Sequence, residues 1–336
     1  MDLLFDYALF LAKTLTVLAA AALLAVIAIR AKRSVGHDEG ERLEILDLNE
    51  RYKSLARAVK ESSLPKKAYR AYVKAERKRE KARDKARRES DGRQRLFVID
   101  FKGDIRASEV AALRVLVTTV LLDRRDGDAV LVRLENAGGT VSEHGLAASQ
   151  LARLRTSGVH LTVAVDKVAA SGGYLMACVA DRIVAAPFAI LGSIGVLAEL
   201  PNFHRLLERH GVDFELHTAG EYKRTLTLFG ENTEAARQKL KEQLEETHAL
   251  FKGFVGEYRP DLDLERVATG EYWHGRQAVE LGLVDAIQTS DDLLLAQSDT
   301  HDLWQLKYSA RKKPIERLLA NIQGLIGGRL DALGGR

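Results

Sequence analysis

LFVIDFKGDIRASEVAALRVLVTTVLLDRRDGDAVLVRLE (96–135) is the stretch that decides the fold class of this chain. Two apolar runs with the length of buried strands, 96–101 and 129–135, enclose the run 107–122, whose apolar residues recur at helical spacing. Strands separated by helices need crossover connections, which favour a parallel sheet that is buried on both faces. The stretch therefore predicts an α/β domain.

The same alternation continues towards the C-terminus. Further helices are predicted near 141–156, from Ser171 onwards, at 233–255 and at 275–281, and further strands at 160–166, 182–186, 215–218 and 284–287. This order predicts a mostly parallel sheet with flanking helices, which we expect to occupy residues 95–300 as one domain.

An apolar run precedes this domain. Residues 8–29 are interrupted only by Lys13, and they are close to the roughly 20 residues that cross a bilayer as a helix. Acidic residues precede the run and basic residues follow it, which is the reverse of a cleaved signal peptide. We therefore expect residues 1–33 to form a single-pass membrane anchor. Because the basic residues Arg30, Lys32 and Arg33 follow the span, the positive-inside rule favours a cytoplasmic domain.

The net charge of +4 conceals a strongly basic segment. Residues 51–95 carry 18 Lys and Arg against 6 Asp and Glu, so the rest of the chain sums to −8. Residues 34–94 are rich in Ala, Glu, Lys and Arg around Pro65, which predicts a basic linker of one or two helices. Two interpretations remain open, a solvated spacer and a segment that contacts anionic membrane lipid. Stacking aromatic residues are sparse and no recognition motif occurs, so nucleic acid is not expected as a partner.

Two further features limit the function classes. Cys178 is the only cysteine, which excludes an intrachain disulfide and a cysteine-rich zinc site. The glycine-containing segment GRQAVELGL (275–283) lacks GxGxxG, and no Walker A pattern occurs, so we expect no cofactor and no metal. Residues 301–336 form an amphipathic tail that could pack on a neighbour, lie on the membrane or stay mobile.

AASGGY (169–174) follows an apolar strand and begins a helix. Ser171 could simply cap that helix. It also lies at the carboxyl end of a parallel strand, where α/β proteins place their sites, and its backbone N–H would point to a developing oxyanion. Gly172 and Gly173 would let a substrate backbone approach closely. The segment is therefore expected to supply a nucleophile and a hydrogen bond donor.

ENAGGTV (135–141) repeats the order of strand, glycine pair and helix. A turn with positive φ would explain the glycines by itself. In a parallel sheet, however, this loop opens on the same edge as the Ser171 loop. Its freed amides, above all that of Gly139, could supply a second donor to an oxyanion.

A serine nucleophile needs a base, and no histidine has a recognisable triad setting. The GxSxG motif is absent around Ser171, and His144, His160 and His217 are expected to be surface or structural residues. A buried lysine can serve instead, because desolvation favours the neutral amine. Lys223 in GEYKRTLTLFGE (220–231) is the candidate. Such a base predicts that activity rises with pH.

Four motifs occur in an order that resembles a known family. They are ENAGGTV (135–141), AASGGYLMACVADRIVAAPFAILGSIGV (169–196), GEYKRTLTLFGENTEAAR (220–237) and YWHGRQAVELGLVDAI (272–287). Together they resemble the signal peptide peptidase A family of serine–lysine peptidases. The N-terminal span and the basic helices that follow it make the chain similar to inner-membrane peptidases of bacteria.

The resemblance implies a ClpP/crotonase-like fold and a serine endopeptidase activity on hydrophobic peptides, such as signal-peptide remnants or membrane-protein fragments. It implies that Ser171 is the nucleophile, that Lys223 is the base and that Ser193 in GSIG orients the lysine amine. The pair Gly138 and Gly139 matches the loop whose amide completes the oxyanion hole. Ala137 departs from the pattern, because many relatives carry proline there.

The resemblance also implies a homo-oligomer, a ring or a dome, and it favours the periplasmic face of the inner membrane over the cytoplasmic face that the charges favour. Two other functions remain open. The first is a noncatalytic membrane scaffold that retains the peptidase fold. The second is an acyl-CoA enzyme of the crotonase type, which is disfavoured because Glu135 is the only acidic residue beside either glycine loop.

Overall fold

The computed structural model describes residues 10, 13–16, 42–89, 93–220 and 222–309. Residues 44–307 form one compact unit. The helices are α1 (Leu48–Ser63), α2 (Lys66–Glu89), α3 (Val110–Leu122), α4 (Val141–Thr156), α5 (Gly172–Ala177), α6 (His204–Arg209), α7 (Glu234–Tyr258), α8 (Leu264–Val267), α9 (Gly275–Glu280) and α10 (Ser290–Gln297). The strands are β1 (Arg42–Asp47), β2 (Arg95–Lys102), β3 (Ala129–Glu135), β4 (His160–Val165), β5 (Val168–Ala170), β6 (Arg182–Ala185), β7 (Ile190–Gly192), β8 (Tyr272–His274), β9 (Ala286–Ile287) and β10 (Asp302–Ser309).

The strands form two sheets. Seven of them lie in the order β1-β10-β2-β3-β4-β6-β9, and every neighbouring pair from β10 to β9 is parallel. The second sheet has the order β5-β7-β8, in which β5 and β7 are parallel and β8 is antiparallel to β7. The expected α/β fold with a mostly parallel sheet is confirmed.

The large sheet is buried on both faces because its central strands are apolar at consecutive positions. Val98 and Leu131 belong to a cluster on one face, together with Leu48 of α1 and Leu294 of α10. Side chains alternate between the faces of a strand, so neighbouring residues such as Val130 point to the opposite face. Val130 is completely buried. Because these strands are parallel, the loops at their carboxyl ends lie at a single edge of the sheet, where the site lies.

The structure differs from the sequence-based expectation at several elements. The strand predicted at 215–218 is wrong, because residues 212–218 form no regular structure and have no partner strand. The three strands of the small sheet were not predicted. Strand β1 lies within the predicted linker and β10 within the predicted tail, and both join the large sheet.

The basic segment forms two helices, α1 and α2, on either side of Pro65, as the sequence indicates. Among the described residues, no helix is long and apolar enough to cross a bilayer. The predicted span at 8–29 falls, except for positions 10 and 13–16, outside the described residues, and so does most of the tail. The span and the tail therefore stay predictions.

One ion pair fastens α7 to the strand region. The Asp285 carboxylate accepts hydrogen bonds from the Arg259 guanidinium at 2.7 and 3.1 Å and from the Ile183 N–H at 2.6 Å. Burial alone would raise the pKa of Asp285, but the hydrogen bonds from Arg259 and Ile183 lower it below its ordinary value. The carboxylate therefore contributes stability above its pKa in the unfolded chain, and this contribution is lost as pH falls through the lower folded pKa.

We expect Asp285→Asn to lower the free energy of unfolding by about 1–2 kcal/mol at pH 7, discounted for partial exposure of the carboxylate. The difference from the wild type should shrink as pH falls below about 4. Urea unfolding at pH 7 and at pH 3 measures both values. Glu245→Gln, which removes an exposed carboxylate paired with Lys241 at 3.8 Å, is the control and should change the stability little. An equal loss at both pH values would contradict the assignment.

Candidate active site

Ser171 lies between β5 and α5 in a backbone conformation that a side chain rarely adopts. Its φ is 52° and its ψ is −120°. Such a conformation costs on the order of 1–3 kcal/mol, so it persists only where the surroundings impose it, often at functional sites. The serine side chain makes no capping hydrogen bond to the described residues of the helix. Helix capping therefore does not account for a serine here.

The backbone N–H of Ser171 is not free. It donates to the Gly192 carbonyl at 2.8 Å, because β5 and β7 pair in register at this point. The prediction that this N–H binds an oxyanion is therefore wrong. The next amide, that of Gly172, is the first of α5, and first-turn amides have no acceptor within their own helix. Gly172 therefore replaces Ser171 as the candidate donor on this side.

The glycine pair lies directly against the nucleophile loop. Gly138 has a φ of 93°, and a β-carbon there would lie 2.7 Å from Ser171 Cβ and 2.9 Å from Gly172 N. The Gly138 N–H donates to Asn136 Oδ1 at 2.9 Å, and the Thr140 N–H donates to the Ile105 carbonyl at 2.9 Å. Of these three consecutive amides, only that of Gly139 lacks an acceptor among the described residues.

A cavity of about 270 Å³ opens beside these amides. Gly139, Ser171 and Gly172 line it. The rest of the wall is mainly apolar and comes from α4, α5, α7 and the segment after β7: Val141, Leu175, Val196, Leu250, Phe251 and Phe254. The cavity wall therefore combines a nucleophile with two residues whose amides lack an acceptor among the described residues, beside a mainly apolar surface. Gly173, expected at the substrate, lies instead against the Asn136 carbonyl and does not line the cavity.

Lys223 is not brought to Ser171. Its side chain is exposed, and within the described residues it lies outside the cavity wall. Ser193 follows β7 with a φ of 51°, and its N–H donates to the Glu271 carbonyl at 2.6 Å. Ser193 is one residue beyond Gly192, the acceptor of the Ser171 N–H, and it too lies outside the wall.

One cysteine and three histidines also bear on the choice of nucleophile and base. Cys178 is buried, and burial raises the pKa of its thiol to about 12, so it does not form a reactive thiolate near neutral pH. His144 is fully buried and lines the cavity. His160 and His217 are exposed beside Asp181 and Glu215, as expected for surface residues.

Sequence reasoning missed three contributors to the site: the Gly172 amide, His144 and Asn136. Asn136 could have been noticed, because it is a polar residue placed directly after a buried strand and before the glycine pair. The involvement of His144 and the loss of the Ser171 amide depend on which segments pair in space, and nothing local in the sequence reveals that.

Comparison with known proteins gives two family matches that follow one another along the chain. The model described as "Peptidase family S49 N-terminal" matches residues 2–151, and that described as "Peptidase family S49" matches residues 153–303. A probable protease SohB of Haemophilus influenzae is 46% identical over 326 residues, which cover 94% of this chain and 92% of that relative. A probable protease SohB of Buchnera aphidicola is 54% identical over 232 residues, 69% of each chain.

Solved structures with a similar shape are more distant. A substrate-peptide complex of a variant 1510-N membrane-bound stomatin-specific protease aligns with 68% of this chain and 98% of that chain, at 12% identity and a TM-score of 0.42. An enoyl-CoA hydratase/isomerase from Marinobacter aquaeolei aligns with 59% of this chain and 68% of that chain, at 17% identity and a TM-score of 0.36. The fold class therefore rests on the strand order itself.

Proposed function

The chain belongs to peptidase family S49, and on that premise we propose that it is a serine endopeptidase in which Ser171 is the nucleophile and Lys223 the general base. The resemblance drawn from the four motifs is thereby confirmed at the level of the family. The proposal extends to a membrane anchor at 8–29 in the bacterial inner membrane and to a homo-oligomeric ring or dome. The peptidase domain takes in β1 and β10, beyond the 95–300 that the sequence predicts.

One observation carries the proposal. Ser171 is held at a φ of 52° at the wall of an apolar cavity, between Gly139 and Gly172, whose amides have no other acceptor within the described residues. A peptide carbonyl beside the Ser171 hydroxyl could receive two backbone hydrogen bonds on its oxygen. Such donors stabilise the tetrahedral intermediate of acyl transfer more strongly than the planar ground state.

The steps of the reaction follow from these groups. The neutral Lys223 amine accepts the Ser171 proton as the hydroxyl oxygen attacks the peptide carbonyl. The negative oxygen of the intermediate is bound by the Gly139 and Gly172 N–H groups. The lysine ammonium then donates its proton to the leaving amine, and an acyl group remains on Ser171. Water, activated by the same lysine, hydrolyses this ester and restores the serine.

Because Lys223 is exposed, the proposal requires a further step that buries its amine. A lysine base must lose contact with water to act as a neutral amine. The segment from 197 to 229, which contains Lys223, exposes many large apolar side chains: Leu197, Leu200, Phe203, Leu206, Val212, Phe214, Leu216 and Phe229. Assembly of copies would cover such a surface. We propose that this assembly also buries Lys223 and brings it to a Ser171, with Ser193 orienting its amine.

The cavity supports a preference for hydrophobic peptides. Its wall includes Leu250, Phe251 and Phe254 of α7 together with Ser171, so a charged side chain would be desolvated there without a partner. Signal-peptide remnants and membrane-protein fragments are the proposed substrates.

Paired peptides test this proposal on the purified full chain. An internally quenched peptide with Leu and Ala at its centre should be cleaved at least about tenfold faster than one with Asp and Glu, because an unpaired carboxylate is costly to bury. A fluorophosphonate should acquire a covalent bond to Ser171 alone, located by peptide mass spectrometry. A chain that cleaves neither peptide and leaves Ser171 unmodified would instead fit the noncatalytic scaffold.

A further inference from the structure

The Asn136 side chain is buried beneath the glycine pair. It is only 1% exposed, and it does not line the cavity. Its Oδ1 accepts the Gly138 N–H at 2.9 Å, and its Nδ2 lies 3.3 Å from Met176 Sδ. Because the Gly138 N–H is a donor, it fixes which end of the amide is the oxygen. The side chain therefore closes a turn that holds the Gly138 peptide in one direction.

The main chain of Asn136 pairs with the strand that precedes the nucleophile. Its N–H donates to the Val168 carbonyl at 2.9 Å, and its carbonyl accepts the Ala170 N–H at 3.0 Å. These bonds pair Asn136 with β5, the strand that ends at Ser171. A single residue thus joins the Ser171 segment to the loop that carries the Gly139 amide.

His144 holds the same oxygen. Its Nε2 lies 3.2 Å from Asn136 Oδ1, and its Nδ1 lies 2.9 Å from the Thr140 carbonyl. Both neighbours are acceptors, so whichever ring nitrogen carries the hydrogen has a partner to donate to. The ring is fully buried and packs against Gly172, where a β-carbon would lie 2.6 Å from His144 Cδ2. His144 therefore contacts both the Asn136 amide and the residue that carries the second candidate donor.

We propose that Asn136, restrained by His144, is a positioning residue that directs the Gly138–Gly139 segment so that the Gly139 N–H faces the acyl oxygen. This inference rests on the proposed peptidase function. By accepting the Gly138 N–H, Asn136 keeps that amide from turning into the cavity in place of its neighbour. The Ile105 carbonyl does the same for Thr140 on the other side. Of the three amides in this loop, that of Gly139 is left to bind substrate, beside the Gly172 amide of α5.

A matched pair of variants tests the inference. In Asn136→Ala the acceptor is removed, and kcat should fall on the order of 10²-fold, the cost of losing one oxyanion donor. KM should stay within about twofold, since that donor acts mainly on the transition state. In Asn136→Ser a hydroxyl can accept the N–H two residues ahead, so most of kcat should return. His144→Phe keeps the ring packing, loses the contact to Oδ1 and should lower kcat by about 3–10-fold.

Two controls separate positioning from stability. Ser290→Ala removes a buried hydroxyl that donates to Asp166 at 2.6 Å, away from the cavity. It should lower Tm as Asn136→Ala does but leave kcat unchanged. Amide hydrogen exchange at Gly138, measured with residue-level fragmentation, should accelerate in Asn136→Ala and return towards the wild-type rate in Asn136→Ser.

The outcomes decide the inference separately from the peptidase proposal. Unchanged kcat and Gly138 exchange in Asn136→Ala would overturn it. A loss of kcat that Asn136→Ser fails to recover, with lowered Tm in both, would reduce Asn136 to a structural residue and overturn it too. If the wild type cleaves no peptide, the peptidase proposal fails. Even then, an unchanged rate of Gly138 amide exchange in Asn136→Ala would show that the Asn136 side chain does not restrain the Gly138–Gly139 segment.

Discussion

Replacing Ser171 with alanine is expected to abolish peptide hydrolysis, with a loss in kcat/KM of at least about 10³-fold. The variant removes the hydroxyl and leaves every backbone hydrogen bond of the loop in place, including the one from the residue 171 N–H to the Gly192 carbonyl. The acyl intermediate then has no oxygen on which to form. Cleavage of the apolar quenched peptide, together with thermal unfolding of the same sample, measures the effect.

Ser171→Gly provides the matched control for folding. Glycine adopts positive φ without strain, so this variant should unfold at a higher temperature than the wild type, with a gain of about 1 kcal/mol. It should be as inactive as Ser171→Ala. Loss of activity in both variants, together with the higher unfolding temperature of Ser171→Gly, would show that Ser171 is needed for catalysis and that its backbone conformation is strained. Hydrolysis by purified Ser171→Ala at the wild-type rate would contradict the proposed mechanism.

Replacing Lys223 with alanine should lower kcat/KM by a similar factor, at least about 10³-fold, because the serine loses the group that accepts its proton. Lys223→Arg should be equally inactive, since a guanidinium stays protonated and cannot act as a base. Added ethylamine should restore part of the activity of Lys223→Ala and none of Ser171→Ala. Lys241→Ala, which removes an exposed lysine of α7, is the control and should behave as the wild type.

Mixing the two inactive variants distinguishes how Lys223 reaches a serine. Lys223 is exposed in the single chain, so the base could come from the same copy after rearrangement or from another copy. Mixed assemblies of Ser171→Ala and Lys223→Ala regain activity only if one copy supplies the lysine to the other. If neither the mixture nor ethylamine restores activity and Lys223→Arg remains active, Lys223 is not the base.

The sequence predicted the fold class well because the deciding pattern is local. Between 96 and 165, each strand and helix appears within a few residues of its predicted position, since consecutive apolar residues or helical spacing can be read in a short window. The same window fails for β5, β7 and β8, which are three residues each and exist through hydrogen bonds to distant segments. It also produced the wrong strand at 215–218, where apolar alternation has no partner strand.

In the candidate site, too, local features could be predicted from the sequence and long-range contacts could not. The sequence by itself determined the residue types and their order: a serine after a strand, a glycine pair after another, and a lysine in a later segment. Which amide is free was decided only by the tertiary structure. Pairing of β5 with β7 commits the Ser171 N–H to Gly192 and passes the donor role to Gly172.

The burial of the His144 ring against Gly172 likewise comes from the packing of α4 against α5, not from any local pattern. The sequence gives the chemical group at each position. Which acceptor each N–H donates to depends on segments far apart in the chain, and only folding brings those segments together.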